Sequence, residues 1–188
     1  MAIKVYIDQG HNPNSPNAGA EGNGYREQDI VYRIGLELYD LLSSDPYFIP
    51  RLSRPTQDTQ LGNSNSSSLR ARVDGANAFG ADLFISLHTN ASVNESVSGT
   101  EALVFRRDST AYNIAEVVLR NLTLVTGLRN RGVVLRPGLY VLRRTRMPAV
   151  LFELGFITNK EDADLMYNNP RLFAEGIYMG LQEYYGLL

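Results

Sequence analysis

The chain has 188 residues, 44% of them hydrophobic and 20% charged, which suits one soluble globular domain with a substantial core. Its net charge of −2 gives no electrostatic reason to expect a nucleic acid or an anionic membrane surface as partner. With no cysteine, disulfides, thiolate metal sites and cysteine nucleophiles are excluded, so any metal must be held by His, Asp or Glu.

The first strand candidate covers residues 3–8 (IKVYID). It begins too early to leave room for a secretory leader. No apolar stretch is long enough to span a bilayer, so membrane insertion is not expected. These readings leave a cytoplasmic protein, one released by another route, or a domain excised from a longer secreted precursor.

A polar loop rich in Gly, Asn and Pro follows over residues 9–24. It is long for a connection in a compact domain, which marks it as functional or flexible. The spacing of Ile30, Val31, Ile34, Leu38, Leu41 and Leu42 predicts a helix over 27–42 with that face inward. Residues 47–52 read as a short strand. Residues 56–68 read as a mobile surface loop whose last serines can cap a helix over 69–79.

The third strand lies in the stretch Ala81-Asp82-Leu83-Phe84-Ile85-Ser86-Leu87-His88-Thr89-Asn90, an apolar run that turns abruptly polar. Residues 100–105 are a fourth strand. A helix over 112–126 buries Ile114, Val117, Val118, Leu122 and Val125. Residues 139–142 and 149–154 are read as strands five and six, Pro148 suiting the start of the last. Helices over 160–168 and 170–185 close the chain, with Asn159 as a cap and Pro170 in a first turn. The alternation predicts an α/β fold: one domain, a six-stranded mixed, mostly parallel sheet, and helices on both faces.

Ionisable residues in apolar contexts are the candidates for chemistry. His11 and His88 are the only two histidines, and each follows a buried-looking strand. Singly, a histidine after a strand is more often a satisfied structural residue than a ligand. As a pair on neighbouring strands they suggest one metal ion. Glu153, within Val150-Leu151-Phe152-Glu153-Leu154, needs either a salt bridge or a task, because an unpaired buried charge is costly. Glu27 alone fits a carboxylate at a helix N-terminus. Two His and one Glu make a common catalytic zinc set with a fourth position open to water. No HExxH helix is present, so such a site would be assembled from distant segments.

Weaker candidates are read mainly structurally. Asn90 either contacts substrate or makes a loop-start hydrogen bond. Arg72 and Asn77 are expected to bond to loops. Arg143, Arg144 and Arg146 form a basic cluster, ordinarily a solvated face, ahead of the strand that carries Glu153, where a peptide carboxylate could be met. Leu135, Leu139 and Tyr140 line either a groove or the core.

Several segments together carry a family resemblance. They are Ile7-Asp8-Gln9-Gly10-His11, Gly19-Ala20, Glu27, Ser53-Arg54, Leu69-Arg70-Ala71-Arg72, Ala76-Asn77, the stretch from Ala81 to Ala91, Gly99-Thr100-Glu101, and Pro148-Ala149-Val150-Leu151-Phe152-Glu153-Leu154-Gly155-Phe156-Ile157-Thr158-Asn159. Across nearly the whole chain this resembles the zinc-dependent N-acetylmuramoyl-L-alanine amidases, the amidase type 3 group of bacterial cell-wall hydrolases. The resemblance implies a zinc amidase catalytic domain spanning 1–188. It implies Zn2+ held by His11, Glu27 and His88, and Glu153 as the catalytic carboxylate. It also implies peptidoglycan as substrate, action at the cell wall in an extracellular or periplasmic setting, and a regulatory protein partner in some members. The family's Gly-His-Gly-Gly stretch is here Gly10-His11-Asn12-Pro13, so the shape of the 12–26 loop is left open. A carboxypeptidase-like zinc peptidase and a non-catalytic wall-binding module are the alternatives.

Overall fold

The computed structural model describes residues 2–187. The elements run β1 (Ile3–Gln9), β2 (Glu21–Gly22), β3 (Tyr25–Arg26), α1 (Glu27–Ser43), β4 (Phe48–Leu52), α2 (Asn65–Phe79) and β5 (Leu83–Asn90). They continue with β6 (Thr100–Val104), α3 (Thr110–Thr126), β7 (Asn130–Leu135), α4 (Tyr140–Arg144), β8 (Ala149–Phe156), α5 (Lys160–Asn168) and α6 (Pro170–Tyr185). Among the described residues no helix is long and apolar enough to cross a membrane.

Six strands form one sheet in the order β4-β1-β5-β8-β6-β7, and β2 and β3 pair as a separate small ribbon. Every neighbouring pair in the large sheet is parallel except β6 with β8. The chain leaves β1 toward β4 on one side and later returns to β5 on the other. In open α/β sheets such a reversal opens a crevice at the carboxyl ends of the two strands. His11 and His88 come from the ends of β1 and β5, so this crevice is where they meet.

Strand alternation divides the residues between two cores. Val5, Ile7, Leu83, Ile85 and Leu87 face the larger core with α1, α3, α5 and α6. Tyr6, Phe84, Leu103 and Leu151 face a smaller core with α2 and α4. Asp8, Ser86, His88, Glu101 and Glu153 share the parity of that second set, so the polar groups cluster on the α2/α4 face. The larger core is closed by α6 lying tightly on α3. A Cβ on Gly180 would stand 2.5 Å from the Val118 Cα, and one on Gly176 would stand 2.7 Å from the Leu122 Cα.

The expected α/β architecture with six strands is present, but one member of the sheet differs. The fifth strand is β7, a partly exposed edge strand that the sequence pattern missed. Its only apolar run is Val133-Val134-Leu135, broken off from Asn130 by an arginine and a glycine. Residues 140–142 are instead part of the short helix α4, with Leu139 as its N-cap and Val141 and Leu142 buried. A four-residue apolar run does not distinguish a strand from a turn of helix. The serine run is likewise not all loop. Ser64 caps α2, accepting from the Ser67 amide at 3.1 Å while Ser67 bonds back, so the helix starts at Asn65.

The 12–26 loop is held rather than flexible. The fully buried Asn12 donates to the carbonyls of Pro16 and Leu61 at 2.9 and 3.0 Å and accepts from the Leu61 amide. Asn17 bonds to Ser68, and Arg26 to the Pro13 carbonyl.

Candidate metal centre

Glu27 is the first residue of α1, where a carboxylate suits the helix dipole. Its side chain is nearly buried and held at both oxygens by backbone amides. Thr89 N–H donates to Oε1 and Ala20 N–H to Oε2, each at 2.9 Å. The same two oxygens meet the two imidazoles. His88 Nδ1 lies 3.0 Å from Oε1, and His11 Nε2 lies 3.2 Å from Oε2. One donor atom from each of His11, Glu27 and His88 falls within 4.8 Å of the others. The two rings stand edge to face with centroids 4.8 Å apart, each side chain about one-fifth exposed.

His88 is positioned by β5, in register with Glu153 of β8. His11 lies two residues beyond β1 in a left-handed backbone conformation, φ 64°. Gly10 between them lets the chain pass against the His88 ring. Glu153 lies inside its strand rather than at its end. It is the fifth of eight residues in β8, with Glu101 of β6 as its other cross-strand neighbour.

The electrostatics separate the two carboxylates. Burial opposes ionisation of Glu27, but hydrogen bonds to His11 and His88, reinforced by their charges, hold it well below the usual carboxylate range. Burial likewise opposes the charged form of His88, and Glu27 outweighs it and raises the imidazole above its ordinary value. Glu153 has no such partner. Burial pushes it up to about 7, Glu27 and Glu101 adding to the rise and His88 and Arg136 opposing it. Its Oε2 is buried with no hydrogen-bond partner, as is His11 Nδ1. A base poised near neutrality is suited to proton transfer at ordinary pH.

Beside the imidazoles is a cavity of about 130 Å³, lined by His11, His88, Asp8 and Arg72 and by the apolar Leu69, Leu139, Tyr140 and Leu151. Leu139 and Tyr140 therefore line a groove, whereas Leu135 is exposed on β7. Asn90, at the end of β5, donates from Nδ2 to Glu101 Oε1 at 3.1 Å and accepts from the Ala91 amide at 2.9 Å. Asn77 bonds to the backbone of Arg144 and Arg146. Arg143, Arg144 and Arg146 precede β8, and the strand's first residue is itself four residues, roughly 13 Å, from Glu153.

Arg72 does bond to loops, and it also takes part in a buried network that sequence reasoning did not assemble. It donates to Asp8 Oδ1 at 2.6 Å and to the carbonyls of Gln9 and His11, while Ser86 donates to Asp8 Oδ2 at 2.8 Å. The visible signal was Asp8 and Ser86 standing on buried strands; the partner arginine is 64 residues from Asp8.

Comparison with known proteins agrees with this geometry. The chain is 36% identical over 186 residues to the uncharacterized protein YqiI of Bacillus subtilis, covering 96% of this chain and 84% of that protein. It is 32% identical over 187 residues to the N-acetylmuramoyl-L-alanine amidase LytC of the same organism, but spans only 35% of its length. Among solved structures, the catalytic domain of the amidase CwlV from Bacillus (Paenibacillus) polymyxa var. colistinus matches with a TM-score of 0.85 and 31% identity, over 99% of both chains. The sequence model described as N-acetylmuramoyl-L-alanine amidase matches residues 5–183, and this chain belongs to that family.

Proposed function

We propose that the chain is a zinc-dependent N-acetylmuramoyl-L-alanine amidase. It hydrolyses the amide between the lactyl group of N-acetylmuramic acid and the L-alanine of the stem peptide in peptidoglycan. Residues 1–188 act as one catalytic domain, working on the cell wall outside the membrane. The observation that carries this reading is the convergence of His11, Glu27 and His88 within 4.8 Å beside Glu153, a carboxylate outside that trio.

The donor set fits zinc. Two imidazoles and one carboxylate match its usual catalytic ligands, and both oxygens of Glu27 are already oriented by amides, as ligand carboxylates require. Zinc held there supplies Lewis acidity toward the scissile carbonyl and toward water. Glu153 accepts the attacking water's proton and returns a proton to the leaving amine. The cavity beside the imidazoles receives the apolar part of the substrate near the amide. Asn90 has one Nδ2 hydrogen beyond its bond to Glu101, and offers it to a substrate carbonyl.

Digestion of purified peptidoglycan tests the reading when paired with metal analysis. New L-alanine amino termini without new reducing sugars, about one zinc per chain, and loss of activity with EDTA are the expected results. Release of a C-terminal amino acid would instead indicate a carboxypeptidase, and binding without products a wall-binding module.

A further inference from the structure

Two guanidiniums are buried directly behind His11. Arg54 has no exposed surface and Arg72 almost none. Among the described residues one carboxylate, Asp8, lies at ion-pair distance from either, and it belongs to Arg72. Among the described residues Arg54 has no acidic partner within 4.0 Å. Burying two like charges against one opposite charge disfavours the fold unless the groups satisfy something else.

What they satisfy is the backbone around the first candidate ligand. Arg72 donates to the carbonyls of Gln9 and His11 at 2.7 and 2.5 Å, and reaches Asn12 Oδ1 at 3.4 Å. Arg54 donates to the His11 carbonyl at 3.4 Å, to the Gln28 carbonyl at 3.2 Å and to the Gln57 carbonyl at 3.0 Å. The His11 carbonyl thus accepts from both arginines. Gln28 follows Glu27, so Arg54 also ties the segment carrying one ligand to the segment carrying another. His11 is a non-glycine residue in the left-handed region, a conformation that persists only where its surroundings enforce it.

We infer that Arg54 and Arg72 are positioning residues that clasp the His11 carbonyl and preset the metal site before any ion arrives. The inference rests on the zinc site proposed above. A planar fork can hold several carbonyls in fixed directions at once, whereas a lysine supplies a point charge without that geometry. The charge-conserving variants Arg72→Lys and Arg54→Lys therefore separate clasping from simple charge balance.

Zinc affinity is measured by competition with a chromogenic chelator, alongside the visible spectrum of the cobalt-substituted protein. Folding is checked by near-ultraviolet circular dichroism. The expected result is zinc dissociation constants raised about 10- to 100-fold in folded Arg72→Lys and Arg54→Lys, with an altered cobalt spectrum. Arg51→Lys, an exposed arginine over the Phe79 ring, leaves both unchanged. Folded variants that bind zinc like the wild type would overturn the clasp while leaving the metal site intact. If the wild type itself takes up no zinc, both readings fail. Unmodified protein gives an independent check through the backbone chemical shifts of His11. They report the left-handed conformation with and without zinc if the site is preset, and a conformation acquired only with zinc refutes it.

Discussion

His88 and Glu153 are Cα partners across the parallel pair β5–β8, on the same face of the sheet. Adjacent strands lie about 4.8 Å apart, so an imidazole of the candidate metal trio and the Glu153 carboxylate are fixed side by side by backbone hydrogen bonds rather than by a loop. Replacing the carboxylate by its amide keeps this geometry and removes only the proton transfer proposed for it. Glu153→Gln is expected to lower the hydrolysis rate of peptidoglycan by about 10²- to 10⁴-fold while zinc content stays near one per chain. Quantified L-alanine amino termini and metal analysis on the same preparation check both halves.

The same substitution should stabilise the metal-free protein in alkali. Glu153 rises from 4.5 to about 7 on folding, chiefly through burial. A carboxyl raised in this way favours the folded state fully below about 4.5 and loses that contribution as the pH climbs through 7. The glutamine variant has no charge to bury. It should match the wild type near pH 4 and exceed it at pH 8 by up to about 3 kcal/mol, measured by urea unfolding at both pH values. Equal stability at pH 8 would contradict the burial argument.

Asp8→Asn should act in the opposite direction. Burial alone would raise Asp8, but the charge and hydrogen bond of Arg72, with help from Ser86, hold it below 3.8. Its contribution is present above 3.8 and drains away as the pH falls through the depressed folded value. The amide leaves Arg72 buried without its counter-charge, so a loss of about 3–5 kcal/mol is expected at pH 7. The gap from wild type should narrow below pH 3.8 in the same unfolding series.

A methyl group at Gly10 has no room. Its Cβ would stand 2.5 Å from His88 Cε1 and 2.6 Å from both His88 Nε2 and the Leu87 carbonyl. Gly10→Ala must displace the ring or the strand. We expect zinc binding weakened at least about tenfold and a stability loss of about 1–3 kcal/mol. Isothermal titration with zinc and a thermal melt are the measurements, and wild-type affinity in the variant would show that the ring is free to move.

Much of this arrangement could be read from residue order. His11 and His88 stand out because the chain's only two histidines each follow an apolar run on neighbouring strands. Glu153 stands out because a carboxylate between Phe152 and Leu154 is costly. Glu27 was different. At the start of a helix a carboxylate has an ordinary reason to exist, and only the family resemblance singled it out as a ligand. The β7 and α4 region misled because four apolar residues fit either a strand or a helical turn. The clasp on His11 was out of reach, since Arg54 and Arg72 lie 43 and 61 residues from the carbonyl they share. Hydrogen bonds of that range are set by topology, which local pattern does not encode.

The unequal division of the two cores has a consequence for change. Most of the buried apolar side chains lie on the side of α1, α3 and α6, while His88 and Glu153 face the side covered by α2 and the one-turn α4, Glu27 reaching them from the first turn of α1. The larger core and the cavity beside the imidazoles therefore lie on different faces of one sheet. Leu139 and Tyr140, at the lip of the cavity, belong to the thinner cover. Substitutions at those two positions reshape the cavity while leaving the thicker core untouched, so the lining can drift here without the domain approaching its unfolding threshold.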